Sequence, residues 1–212
     1  MLRYVYARDL HAFPLLSETM FKDRADQFKT RLGWDVTVDA RGFERDQYDA
    51  LNPLYVIWEE ADGTHGGSMR FLPTTGRTMV NEHFSDVMGG GTVRSGKIWE
   101  CTRFCLARGA SSHVAAALML GGGELMQNFG VEHFVGVFDA RMVRIYRMIG
   151  SSPDVLGSTG TGRDQISVGL WHFDEAAAAQ VAQRAGISAA QSRHWFDLSF
   201  GQPAAPMLAA TA

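Results

Sequence analysis

The run Ile98-Trp-Glu-Cys-Thr-Arg-Phe-Cys-Leu106 reads as a buried strand, yet it carries Glu100 and Arg103. Charge in such a strand is costly unless it is paired or put to use. Glu100 in a pocket is a candidate general base, its pKa raised by burial or lowered by Arg103 according to which effect dominates. Strict alternation sends residues three apart to opposite faces, so either the two serve different surfaces or a β-bulge resets the register between them. A buried structural ion pair is the alternative. The same oddity recurs upstream. Arg24 interrupts an apolar helical stripe, Arg70 ends a hairpin strand, and Glu44, Asp46 and Asp49 cluster in a turn-like segment. Embedded charges of both signs imply a polar ligand that also carries both. Arg24 and Phe28 share a helix face at i,i+4 with Trp34 just beyond the helix, a grouping suited to capping a sulfonium or a purine. Ordinary helix packing, with Arg24 snorkelling to water, is the competing account of those three residues, and a solvated loop that of the carboxylates.

Other chemistries find little support. There is no Gly-x-Ser-x-Gly, the seven histidines are scattered without ligand spacing, and no metal site is expected. Thr159-Gly-Thr-Gly-Arg163 lacks the lysine and serine of a phosphate loop and precedes a strand. Cys101 and Cys105, at even spacing, should share a strand face at roughly 13 Å, too far for a disulfide. The 212 residues, 46% apolar and 20% charged with a net charge of −3, suit one soluble globular domain and give no reason to bind nucleic acid or an anionic membrane. Neither a signal peptide nor an apolar run of membrane-spanning length is expected, so the chain reads as cytoplasmic.

The elements that must position these residues follow from pattern. Leu2–Ala7 reads as a first strand, and Leu10 to Leu32 as a helical region restarted near Pro14 and closed by Gly33. Thr37 to Asp49 reads as a loop. Leu54–Glu60 and Ser68–Leu72 read as a hairpin turned at Asp62-Gly63. Pro73 to Gly96 is loop-like, and Ile98–Leu106 is the central strand. A helix capped at Ser111 or Ser112 runs to Asn128, with an unexplained glycine triplet, Gly121–Gly123, inside it. His133–Asp139 is a strand, Arg141 to Ile149 a basic helix, and Gln165–Phe173 the last strand. Asp174 caps a helix to Ala185, Ser188 caps a short one after it, and the tail from Gly201 reads as disordered. Helices alternating with strands, together with a hairpin, give an α/β (α+β) fold: a mixed sheet flanked by helices in a single domain over residues 1–200.

Arg24, Phe28, Trp34, Asp46, Asp49, Arg70, Phe84, Glu100 and Arg103 occur in the order, and near the spacing, of the signature of the acyl-homoserine-lactone synthases, which make bacterial quorum-sensing signals. Arg24-x3-Phe28-x5-Trp34 and Glu100-x2-Arg103-Phe104 resemble that family most closely. The resemblance extends to about Phe173 and implies a GNAT-like N-acyltransferase fold with a splayed mixed sheet. It implies that the α-amine of S-adenosylmethionine, a substrate rather than a cofactor, attacks an acyl thioester on acyl carrier protein or coenzyme A. The methionine carboxylate then displaces the sulfonium, closing a lactone and releasing 5′-methylthioadenosine. On this reading Glu100 is the base, through water. Asp46, Asp49, Arg70 and Arg103 orient the polar ends of S-adenosylmethionine, with Phe84 and Phe104 beside them, and Arg24, Phe28 and Trp34 fold over it.

The resemblance also puts Gly136 beside the acyl chain, with Met119, Phe138 and Met142 around it. Members that make 3-oxo signals often carry threonine at that position. Glycine weakens the 3-oxo case and leaves room for unsubstituted, 3-hydroxy, branched or aryl chains. Arg144, Arg147 and Arg163 would suit an acidic carrier protein or a coenzyme A phosphate. The alternatives are a GNAT-like enzyme acylating another amine, which has no need of the Arg24–Phe28–Trp34 lid, and an inactive binder, which has no need of Glu100.

Overall fold

The computed structural model describes residues 1–201, so the tail expectation beyond Gly201 lies outside the described residues. Seven strands form one mixed sheet. β1 (Leu2–Tyr6), β2 (Leu54–Glu59), β3 (His65–Pro73) and β4 (Ile98–Leu106) run antiparallel in sequence order. β5 (His133–Asp139) then lies parallel to β4, followed in space by β7 (Ile166–His172) and the edge strand β6 (Asp154–Thr159). Helix α1 (Pro14–Arg24) covers one face of the first strands, which is called the front, and its apolar residues Leu16, Met20 and Phe21 pack on Val5, Tyr55 and Ile57. The larger core lies on the back, under α3 (His113–Phe129), α5 (Glu175–Ala185) and α6 (Ala189–Phe200). This is the mixed, splayed, GNAT-like arrangement expected.

The splay begins at a definite point. β4 and β5 pair only at Ile98–His133, Trp99–Phe134 and Glu100–Val135, and beyond Glu100 the two strands part. At the parting point stands Gly136, where an added Cβ would lie 3.0 Å from the Cys101 carbonyl oxygen and 3.2 Å from the Trp171 ring. Trp171 and the Cys101 main chain therefore fill the space beside this glycine.

The anticipated bulge lies in β4. Ser68 pairs with Cys105 and Arg70 with Thr102, so Met69 faces both Arg103 and Phe104, and Arg103 takes a left-handed φ of 54°. The extra residue turns Arg103 to the front beside Thr102 and Glu100. It also corrects the cysteine expectation. Cys101 packs in the back core while Cys105 is buried on the front near Asp23 and Arg24, so the two thiols lie on opposite faces.

The glycine triplet in α3 marks close packing. A Cβ on Gly121 would meet Val56 Cγ1 at 2.7 Å, and one on Gly122 would meet Phe134 at 3.4 Å. Two elements escape the pattern reading. The expected loop after Pro73 contains α2 (Met79–His83), which has five residues and no stripe. β6 is an exposed edge strand bonded only to β7, so no buried face imposes alternation on it. The basic helix α4 spans Ala140–Ile149 and is capped by the Asp139 carboxylate. After Arg24, the helical region continues to Arg31 with the wider i→i+5 bonding. The last helix, expected to be short, has twelve residues.

Candidate active site

Three arginines and three carboxylates meet on the front face. Glu44, Asp46 and Asp49 come from the loop ahead of β2, Arg24 from the end of α1, Arg70 from β3 and Arg103 from the bulge. They form a closed ring of alternating sign. Arg24 pairs with Glu44 at 2.6 Å, Glu44 with Arg103 at 2.8 Å, and Arg103 with Asp46 at 2.8 Å. Asp46 pairs with Arg70 at 2.5 Å, Arg70 with Asp49 at 2.8 Å, and Asp49 with Arg24 at 3.0 Å. Three positive and three negative members cancel. Tyr55 Oη donates to Asp49 Oδ1 at 2.5 Å, and Arg70 Nε donates to Thr102 Oγ1 at 3.0 Å.

Charge this deeply buried survives only when fully paired, and the ring meets that condition. Burial by itself would raise the pKa of Asp49. Arg24 and Arg70 together outweigh burial and hold it far below the usual carboxylate range. Asp46 is lowered in the same way, burial being opposed by Arg70 and Arg103. Both carboxylates are therefore ionised at neutral pH.

A cavity of about 1130 Å³ opens beside this ring. Its polar arm is walled by Glu44, Asp46, Arg103, Phe28, Trp34 and Phe84. Phe28 is buried, and Trp34, 39% exposed, stacks on it at 5.2 Å with ring planes 13° apart. The Arg103 guanidinium sits 5.3 Å over the Phe28 ring from within. The cavity includes residues of both sheet faces: Cys101, Phe104 and Gly136 at the parted strands, and Met119, Phe138, Met142, Tyr146 and Trp171 behind them. The gap between β4 and β5 thus joins a charged front chamber to an apolar back chamber.

Glu100 lies one layer behind the front wall and is 1% exposed. Its carboxylate accepts the N–H groups of Met79 at 3.1 Å and Val80 at 2.5 Å, where α2 begins. Burial raises its pKa to about 6 against the lowering effect of those two bonds. A carboxylate poised near neutrality beside a cavity suits proton abstraction.

Of the residues singled out in the sequence, Phe28, Trp34, Asp46, Phe84, Arg103 and Phe104 line the cavity, as do Met119, Gly136, Phe138 and Met142. Arg24, Asp49 and Arg70 are off the wall and complete the ring behind Asp46 and Arg103. Arg24 is 0% exposed, so it neither snorkels to water nor covers the opening. Arg144, Arg147 and Arg163 lie exposed on α4 and the turn before β7.

The resemblance gave Glu44, Tyr55, Tyr146 and Trp171 no place in the site. Glu44 belonged to the acidic cluster already noted, and its even spacing from Asp46 was the available signal. A Ser–His–Asp chain does occur, with His65 2.7 Å from Asp23 and 2.9 Å from Ser68. Ser68 is 1% exposed in mid-strand and none of the three lines the cavity, so this chain pins α1 to β3.

The sequence profile described as "Autoinducer synthase" matches residues 11–181. An acyl-homoserine-lactone synthase of Rhizobium etli is 42% identical over 161 residues, covering 73% of this chain and 76% of that protein. Among solved structures, the CoA-dependent acyl-homoserine lactone synthase MesI aligns with a TM-score of 0.78 at 26% identity, over 90% of this chain and 98% of that one. The CoA-dependent synthase BjaI, solved with SAM and isopentyl-CoA, shares the fold at a TM-score of 0.79 and 20% identity, over 89% of this chain and 90% of that one.

Proposed function

The chain belongs to the autoinducer synthase family, the acyl-homoserine-lactone synthases, and from that premise we propose how its own residues divide the reaction. S-adenosylmethionine occupies the front chamber, and the acyl chain threads the β4–β5 gap into the back chamber. The observation that carries this reading is the single cavity with a charged, aromatic-walled arm and an apolar arm on opposite sides of a parted sheet.

Asp46 attracts the ammonium or sulfonium of the substrate, and Arg103 its carboxylate. Phe28 and Trp34 offer ring faces to the sulfonium or the adenine. Arg24, Asp49, Arg70 and Glu44 act through these two as positioning residues. Glu100, acting through a water, takes a proton from the α-amine. The nitrogen lone pair forms the amide bond with the thioester carbonyl, and the thiolate leaves. The methionine carboxylate then displaces the sulfonium, which departs as neutral 5′-methylthioadenosine while the lactone closes.

Coenzyme A thioester is the acyl donor on this reading. Support comes from the likeness to MesI, and exposed Arg144, Arg147 and Arg163 would meet its phosphates. No helix among the described residues is long and apolar enough to cross a membrane. Both substrates are intracellular metabolites, which puts the enzyme in the cytoplasm.

The test is to incubate the purified protein with S-adenosylmethionine and acyl-coenzyme A or acyl carrier protein, following lactone by mass spectrometry and methylthioadenosine release. Stoichiometric lactone and methylthioadenosine are expected, with acyl-coenzyme A the better donor. Acylation of another amine without methylthioadenosine would overturn the reading.

A further inference from the structure

Among the described residues, the wall of the back chamber includes a largely buried tyrosine whose hydroxyl bonds to no protein group. On its wall the Trp171 indole N–H donates to the Ser151 carbonyl at 3.3 Å, and the Cys101 thiol points to Met69 Sδ at 3.7 Å. The Tyr146 hydroxyl has no hydrogen-bond partner among the described residues. The residue is only 7% exposed, with its ring held edge-on to Phe138 at 5.5 Å and to Trp171 at 5.1 Å. Its oxygen is not sealed in the core but reached from the cavity that the ring lines.

A hydroxyl that opens on the chamber but bonds to no protein group holds water until an occupant displaces it, whereas phenylalanine would fill the same space and offer an occupant nothing to bond. The arrangement makes sense when the occupant of the chamber supplies the partner. Its place along the chamber follows from neighbours. Gly136 stands where β4 and β5 part, Trp171 lies against Gly136, and Tyr146 lies against Trp171. The Tyr146 hydroxyl is also an electrostatic neighbour of the Cys101 thiol on β4, which puts it on the gap side of the back chamber, beside the early carbons of a threaded chain.

We propose that the Tyr146 hydroxyl binds an oxygen on the acyl chain, so that the enzyme selects donors bearing an oxo or hydroxyl group close to the thioester. This deepens the acyl-homoserine-lactone synthase reading and rests on it. An oxo group can only accept from Tyr146, whereas a hydroxyl can accept or donate, so both chemistries fit. The hydroxyl that Gly136 cannot offer comes instead from α4. A site that hydrogen-bonds its substrate rejects the unsubstituted analogue far more strongly than an apolar pocket rejects a change of one methylene.

The experiment measures kcat/KM for unsubstituted, 3-oxo and 3-hydroxy acyl donors of equal length, on coenzyme A and on carrier protein, with the wild type and Tyr146→Phe. The wild type should prefer at least one oxygenated donor by about tenfold or more. Tyr146→Phe should erase that preference by slowing the oxygenated donor more than the unsubstituted one, and should melt no lower than the wild type. Equal use of all three donors by the wild type, or a uniform loss in the variant, would overturn the inference while lactone synthesis stands. Failure to make lactone from any donor would overturn the underlying reading with it.

Discussion

At the scale of single residues, Glu100 ties proton transfer to burial. Glu100→Gln keeps the shape and removes the base, so kcat should fall roughly 10²–10⁴-fold with little change in S-adenosylmethionine affinity. In the wild type, kcat/KM should climb with pH through about 6 as Glu100 ionises, and the variant should lose that limb. Near-wild-type turnover in Glu100→Gln would remove Glu100 from the mechanism. Arg24 and Trp34, which look alike in the sequence, should part company. Arg24→Ala leaves Glu44 and Asp49 short of a buried partner and should cost about 3–5 kcal/mol in denaturant unfolding. Trp34→Ala removes a half-exposed ring, so it should melt near the wild type and weaken S-adenosylmethionine binding in calorimetry. Charges out of place were legible in the sequence because burial makes them conspicuous. Which of them touch the cavity was not, since Arg24 and Arg103 differ only in tertiary position. Tyr146 gave no signal, because a tyrosine in an amphipathic helix looks the same whether or not its hydroxyl is satisfied.

At the scale of elements, the strands with two buried faces were legible from composition, and β4 and β5 have the bounds that their apolar runs suggest. What was missed lacks a buried stripe: α2 is too short to show one, and β6 faces water along most of its length. The odd spacing of Glu100 and Arg103 raised the possibility of the bulge, but only the pairing with β3 locates it. The parted strands carry a test of their own. Gly136→Thr would press a branched side chain against the Cys101 carbonyl and the Trp171 ring, so it should cost about 1–3 kcal/mol of stability. It should also lower kcat/KM for every acyl donor. An unchanged melting temperature with full activity would mean that the gap is wider in solution.

At the scale of the whole molecule, two groups of carboxylates oppose each other across the pH scale. Asp46 and Asp49 titrate below their ordinary values, so their contribution is present above about pH 4 and fades as pH falls through the lowered values. Glu100 is shifted upward, so folding favours its protonated form, and its ionisation should withdraw roughly 2 kcal/mol between about pH 4.5 and 6. Denaturant titrations should therefore show stability stepping down across that interval in the wild type, without recovery above it, and no such step in Glu100→Gln, together with steep acid unfolding below about pH 4. A flat profile in both proteins would contradict the burial of Glu100. The ring of six also bears on descent. Because each member neutralises two neighbours, no single position can drift to an uncharged residue without stranding a charge. Adjacent members of opposite sign, such as Arg24 with Glu44 or Arg70 with Asp46, can disappear together and leave two of each sign. Among related chains, these positions on α1, the loop before β2, β3 and β4 should be inherited in such pairs. Four stretches distant in sequence would then carry one shared history.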